Sequence, residues 1–246
     1  MERNLSFDTA GLTDIAVRLA WAQLEIFADD VQKVQVLVAG DERSVEDLRI
    51  LTRDGALVVE QPQYGLSISN FTDSTWMQIC VRVPRSWNQE LHASTISGLL
   101  SARKLNAGKL VLDTVSGDLR AVQLSAPSLK LRTVSGDAHA ENLLCDTLSL
   151  RAISGDMDID GTTAKTIKGT SVSGETLVRC TEAFQQIELT SVSGKVTISA
   201  PVEKANINLR SISGKVRLIG VEDAEDEAAP SVRVTGVSAD LTLHKV

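Results

Sequence analysis

Aromatic residues are scarce in this chain: three Trp, one Tyr and four Phe in 246 positions. Phe7, Trp21, Phe27, Tyr64, Phe71, Trp76 and Trp87 fall within the first 90 residues, and beyond them only Phe184 remains. The second part must therefore fill its core with aliphatic side chains. It also lacks the Trp or Tyr rings on which sugar-binding clefts stack their substrate. The three cysteines, Cys80, Cys145 and Cys180, are too few and too scattered for a disulfide framework or a zinc site, and they read as small buried hydrophobes. No two of His92, His139 and His244 have metal-ligand spacing.

A surplus of positive charge is also missing. Lys and Arg number 25 against 32 Asp and Glu, a net charge of −7, which speaks against tracking a nucleic-acid backbone. No apolar run is long enough to span a bilayer as a helix, so no transmembrane segment is expected. The opening MERNLSFDTAGLTDIAVRLAW has no basic stretch followed by an apolar one, which predicts a cytoplasmic location.

What the chain does have is a repeat. The motif [Thr/Ser/Ala]-[Val/Ile]-Ser-Gly recurs with its glycines at Gly98, Gly117, Gly136, Gly155, Gly174, Gly194 and Gly214, spaced 19, 19, 19, 19, 20 and 20 residues apart. An eighth, degenerate copy carries Ala239 in place of glycine, after an acidic insertion holding Glu222, Asp223, Glu225, Asp226 and Glu227. Two and four residues after each glycine stand apolar or small residues such as Leu119 and Ala121, or Val196 and Ile198. Five and seven before it stand pairs such as Leu110/Leu112, Leu129/Leu131 and Ile187/Leu189, and two before it a column of Val and Ile. Period-two alternation on both sides of a corner predicts two short strands per repeat. A corner glycine suits a positive φ.

These features predict an all-β fold, a right-handed parallel β-helix (β-solenoid) with 19–20-residue coils and a β-rich N-terminal region. Eight coils at the inter-strand step make a column of about 35–40 Å. Residues 91–246 form the coils. Residues 1–90 contain the strand-like segments IAVRL, LEIF, VQVLV, ILTRDGALVV and MQICVRV, with a tight turn at Asp54-Gly55 and at most a short helix near Glu42, Glu46 and Asp47. They are expected to be a region or cap continuous with the coils, covering an open strand edge.

The strand-rich first segment, the step VPRSW at 83–87 and the iterated TVSGD resemble the bacterial putative-adhesin family, over nearly the whole chain. The resemblance implies a right-handed β-helix, no catalytic motif and no cofactor. Relatives of that family are often exported, membrane-anchored or linked to envelope stress, so envelope association is implied as well.

Two columns are candidate sites. Directly after the glycines come Asp118, Asp137, Asp156 and Glu175, then Lys195 and Lys215. A row of carboxylates could collect a divalent cation such as calcium, or it could be a set of solvated turn residues. Three after the glycines, Arg120, His139 and Asp158 invite a general-base reading, against the simpler one of an exposed charge ladder. No nucleophile completes a triad. The expected function is a non-enzymatic binding or scaffold module for an unidentified protein or envelope component. The alternatives are a self-assembling structural protein and, third, a carbohydrate-active enzyme.

Overall fold

The computed structural model describes residues 1–62, 76–226 and 228–246. Tyr64, Phe71 and Glu227 lie outside the described residues. Strands β1 (Glu2–Phe7), β2 (Asp14–Trp21), β3 (Gln23–Asp29) and β4 (Val34–Gly40) lead to the helix α1 (Glu42–Asp47). Asp41 caps this helix by accepting the Ser44 amide at 3.0 Å, a common N-terminal device. Strands β5 (Arg49–Arg53) and β6 (Ala56–Glu60) form an antiparallel hairpin around Asp54-Gly55, where both residues have positive φ (50° and 78°) as a type I′ turn requires. Strand β7 (Met77–Pro84) stops where proline removes a donor. The sequence pattern anticipates each of these elements except β1.

The repeats supply β8 (Glu90–Ser97), β9 (Leu100–Arg103), β10 (Lys109–Thr114), β11 (Leu119–Ser125) and β12 (Ser128–Arg132). Then come β13 (Ala138–Arg151), β14 (Met157–Ser173), β15 (Thr176–Cys180), β16 (Gln186–Ala200), β17 (Lys204–Ser211), β18 (Val216–Ile219), the two-residue β19 (Glu222–Asp223) and β20 (Ser231–Lys245). Successive repeats from β8 to β16 pair in parallel and in register. Leu110 lies beside Leu91 and Leu129, and Leu129 beside Leu148. These columns form the core, with Leu91, Leu100, Leu110, Leu112 and Leu129 at most 1% exposed. At about 1.5–3 kcal/mol for each such side chain, the aliphatic columns supply the main driving force for folding.

The expected right-handed parallel β-helix is corrected in three respects. First, the domain is one large mixed sheet of twenty strands: β1 and β4, β4 and β7, and β5 and β6 pair antiparallel. Second, the two short strands per repeat merge in β13, β14, β16 and β20, which run for 14 to 17 residues. Third, the repeats are not stacked in chain order. The last strand, β20, lies between β16 and the pair β17 and β18: Lys195 is in register with Asp240, and Val216 with Leu241. The physical reason is that the acidic insertion lets the chain pass over the outermost repeat and return beneath it. An apolar period fixes which side chains face inward, but it carries no information on which neighbour each repeat takes.

The acidic insertion runs along the outer edge of β17. The Glu222 and Ala224 amides donate to the carbonyls of Glu203 and Ala205 at 2.8 and 3.0 Å, and the Asp223 carboxylate accepts the Ile207 amide at 3.1 Å. These bonds occupy edge groups that would otherwise offer a template for another strand.

Candidate functional site: the repeated corner

At Gly117, Gly136 and Gly214 the corner is held by the Thr or Ser that opens the motif, whereas the motif ending at Gly155 opens with Ala152. The Thr114 hydroxyl donates to the Gly117 carbonyl at 3.0 Å and accepts the Gly117 amide at 3.1 Å, and Thr133 makes the same pair with Gly136 at 2.9 and 3.1 Å. Both hydroxyls are buried, as are Thr95, Ser171 and Ser191. The serine before each glycine adds a backbone rung: Ser116, Ser135 and Ser154 donate at 2.7 Å to the carbonyls of Ile96, Val115 and Val134 in the preceding repeat. Sequence reasoning did not assign the stapling role to the Thr. The signal available was its recurrence three residues before Gly98, Gly117 and Gly136. Thr133→Val, nearly isosteric, is expected to cost about 1–2 kcal/mol by leaving the buried Gly136 amide unpaired, a loss that thermal unfolding would register.

The corner glycines meet the expected positive φ only in part. Only Gly98, Gly155 and Gly174 have positive φ (98°, 153° and 111°). What the column shares is close stacking: a Cβ on Gly117, Gly136, Gly155, Gly174 or Gly194 would run into the carbonyl oxygen of the glycine one repeat earlier, and one on Gly214 into that of Ala239.

The acidic row is explained by backbone bonds. Asp118 Oδ1 accepts the Asp137 amide at 3.2 Å, Asp137 Oδ1 the Asp156 amide at 2.9 Å, and Asp156 Oδ1 the Glu175 amide at 2.7 Å. Glu175 then pairs with Lys195 at 2.9 Å, and Asp240 Oδ1 accepts the Lys215 amide at 2.8 Å. Each carboxylate thus binds the next turn, which offsets the repulsion of like charges at strand spacing. Among the described residues no three His, Cys, Asp or Glu side chains are grouped as metal ligands would be. Asp137→Asn keeps an acceptor oxygen and removes a charge, so its melting temperature should stay equal or rise. Asp137→Ala loses the acceptor and should cost about 0.5–1 kcal/mol. A calcium-dependent loss of stability in Asp137→Asn would contradict this assignment.

Arg120, His139 and Asp158 are lateral neighbours, as expected. His139 Nε2 is bonded to Glu141 at 2.6 Å, its Nδ1 lies 3.7 Å from Asp158, and Arg179 reaches Asp158 at 3.1 Å. Among the described residues His139, Glu141, Asp158 and Arg179 form a chain of ion pairs, and no hydroxyl or thiol is bonded to His139. A second ladder joins His92, Asp113 and Arg132: Asp113 lies 2.9 Å from His92 Nε2 and 2.6 Å from Arg132 Nε. Burial pushes the Asp113 carboxyl up, but the bonds and charges of His92 and Arg132 outweigh burial and hold it below its ordinary value. A carboxyl depressed in the folded state adds stability above its unfolded pKa of about 3.9 and loses it as pH falls through the folded value. Wild type should therefore lose more stability than Asp113→Asn on acidification below pH ~4, read as the difference in melting temperature. Burial pushes the Cys145 and Cys180 thiols up to about 12 and about 11, so both are inert at neutral pH.

The corner's outer surface is apolar. Two residues before the glycines, Ile96, Val115, Ile153, Val172 and Val192 are 38–44% exposed, Val237 is 50% and Ile212 84%. With the half-buried Val134 they form one ribbon along the corners of eight repeats, ~34 Å long at the inter-strand step. The acidic row runs beside it. β-Branched residues at this place satisfy strand geometry, so the sequence alone did not tell which side they face.

The model of the family described as Toastrack DUF4097 matches residues 12–243. No curated protein matches. Three solved structures are similar in fold. A putative adhesin from Parabacteroides merdae has 14% identity and a TM-score of 0.63, with 100% of this chain and 95% of that one covered. A putative adhesin from Parabacteroides distasonis has 13% identity, a TM-score of 0.60, and coverage of 100% and 96%. A putative lipid binding protein, also from P. distasonis, has 13% identity, a TM-score of 0.51, and coverage of 100% and 96%. The resemblance to putative adhesins thus holds at the level of the domain and its fold, without the β-helix. The cytoplasmic location read from the first residues does not stand beside these structures, which are described as putative adhesins and a putative lipid binding protein. No helix among the described residues is long and apolar enough to cross a membrane, which says nothing of crossing with strands.

Proposed function

The chain belongs to the Toastrack DUF4097 family, and from that premise we propose that it is a non-enzymatic, adhesin-like binding and scaffold module acting at the bacterial envelope. The observation that carries this reading is the Val/Ile ribbon. A contiguous line of largely exposed aliphatic side chains is apolar surface of the kind that marks an interaction site. Its flank of Asp118, Asp137, Asp156 and Glu175 specifies the partner's chemistry: a protein surface with an apolar centre and a basic rim. Residues 1–90 serve as the closing end of the stack, continuous with residues 91–246 through the pairing of β2 with β8 and β3 with β9.

The test is the location and retention of the native chain. Host cells carrying a C-terminally tagged copy are fractionated and exposed to external protease, with Val115→Asp/Val172→Asp as the comparison. Both positions are exposed, so the variant should keep its melting temperature. The reading predicts wild type in the envelope fraction, and retention weakened about tenfold or more in the variant, since each aliphatic side chain in a contact contributes about 1.5 kcal/mol. A wild-type chain that stays soluble and protected, or a variant retained as well as wild type, would refute it.

A further inference from the structure

A second surface, distinct from the corner, lies on the outer face of β12, β13 and β14. Outward positions alternate along these strands with the buried Leu129, Leu131, Leu148 and Ile167, which fixes their direction. They place Lys130 beside Ser149 and Ser149 beside Lys168, and in the next row Arg132 beside Arg151 and Arg151 beside Thr170. Together these residues line a shallow depression of about 560 Å³ that Glu188 and Thr190 complete. Four cations thus gather within three strands of a chain whose net charge is −7.

The depression's charge is only partly answered. Arg132 is held by Asp113 at 2.6 and 3.2 Å. The one carboxylate in the lining, Glu188, is shared between Lys168 at 3.5 Å and Arg233 at 3.4 Å. The side chains of Lys130 and Arg151 make no hydrogen bond or ion pair among the described residues. Arg132 and Arg151 stand in lateral register one strand step apart, where like charges repel. Asp113 answers this pair on the Arg132 side only; beside Arg151 stands Thr170, and Ser149 and Thr190 add further hydroxyl donors.

We propose that this depression binds a phosphate-bearing anion, with Arg151 and Lys130 as its main contacts and Arg132 and Lys168 at its sides. A guanidinium offers a planar fork of donors that suits phosphate oxygens, and the ammonium groups supply charge. The phosphate can belong to a soluble molecule or to a lipid headgroup, since both present the same oxyanion. The site shares no residue with the ribbon and its acidic flank, so it stands or falls independently of the partner-protein reading.

The probes are inorganic pyrophosphate, followed by calorimetry at low salt, and vesicles of phosphatidylcholine with and without 30% phosphatidylglycerol, followed by co-sedimentation. Wild type is compared with Lys130→Gln/Arg151→Gln and with Lys33→Gln/Arg53→Gln, which removes the same charge far from the depression. Among the described residues both patch positions lack side-chain partners, so that variant should melt at or above the wild-type temperature. The proposal predicts saturable binding to at least one probe, weakened tenfold or more in the patch variant and less than twofold in the control. Binding of pyrophosphate alone assigns a soluble anion, and binding of anionic vesicles alone assigns a headgroup. No binding of either probe, or an equal loss in both variants, would overturn the proposal. Val115→Asp/Val172→Asp should bind these probes like wild type, which separates a failure here from a failure of the ribbon.

Discussion

Gly136→Ala is expected to lower the unfolding free energy by about 3 kcal/mol or more, a large share of a domain's ordinary stability. One methyl group has this effect because of where it must go. Its carbon would meet the Gly117 carbonyl oxygen, which belongs to a backbone held in register on both sides and cannot rotate away. Gly136 does not have positive φ, so the cost is close approach rather than dihedral strain. Gly11 supplies the contrast: its φ is 80°, yet a Cβ there meets nothing within 4 Å. Gly11→Ala should cost only about 1–2 kcal/mol through its left-handed backbone. Equal losses in the two variants, measured by denaturant unfolding, would contradict the stacked-corner account.

The second large effect concerns the chain's end. A chain ending at Pro230 should lose amide-exchange protection across residues 204–219, although those residues are present. β18 pairs only with β20 among the described residues, and β17 would keep only its two-residue contact with β19. Val232, Val234, Leu241 and Leu243 are fully or almost fully buried, so their removal takes away about 6 kcal/mol or more of apolar burial. In a stack built in chain order, the same cut would trim the outermost repeat and leave 204–219 protected. Preserved protection of that segment would therefore count against the inserted position of β20.

These two cases show what the sequence could and could not tell. The 19–20-residue period, the corner glycines and the inward columns were legible because apolar alternation and glycine recurrence are local properties. Leu110, Leu129 and Leu148 fall into register as the period requires. The order of the final strands was not legible, because β20 carries the same alternation whichever neighbour it takes. The antiparallel pairings of β4 were hidden for a similar reason: VQVLV announces a strand but not its direction. The second corner of four of the repeats was missed as well. Lys104, Gln123, Asn142 and Gly161 all adopt left-handed φ of 55–65°, but they share no residue type that would reveal a column. At the candidate site, the acidic row was visible as a pattern, while its bonds to successive amides depend on the close stacking of the turns. The basic depression escaped notice because Lys130, Arg132, Arg151 and Lys168 come from three repeats and follow no single column.

The repeats lie in register with the last strand inserted between its two predecessors, and this order sets every surface column, including the ribbon. Backbone proton contacts measured by NMR on a deuterated chain test it directly. The account predicts cross-strand contacts of Thr242 with both Thr197 and Arg217, and none between Thr197 and Arg217. A direct contact between Thr197 and Arg217, with Thr242 touching Arg217 alone, would show the repeats stacked in chain order and contradict it.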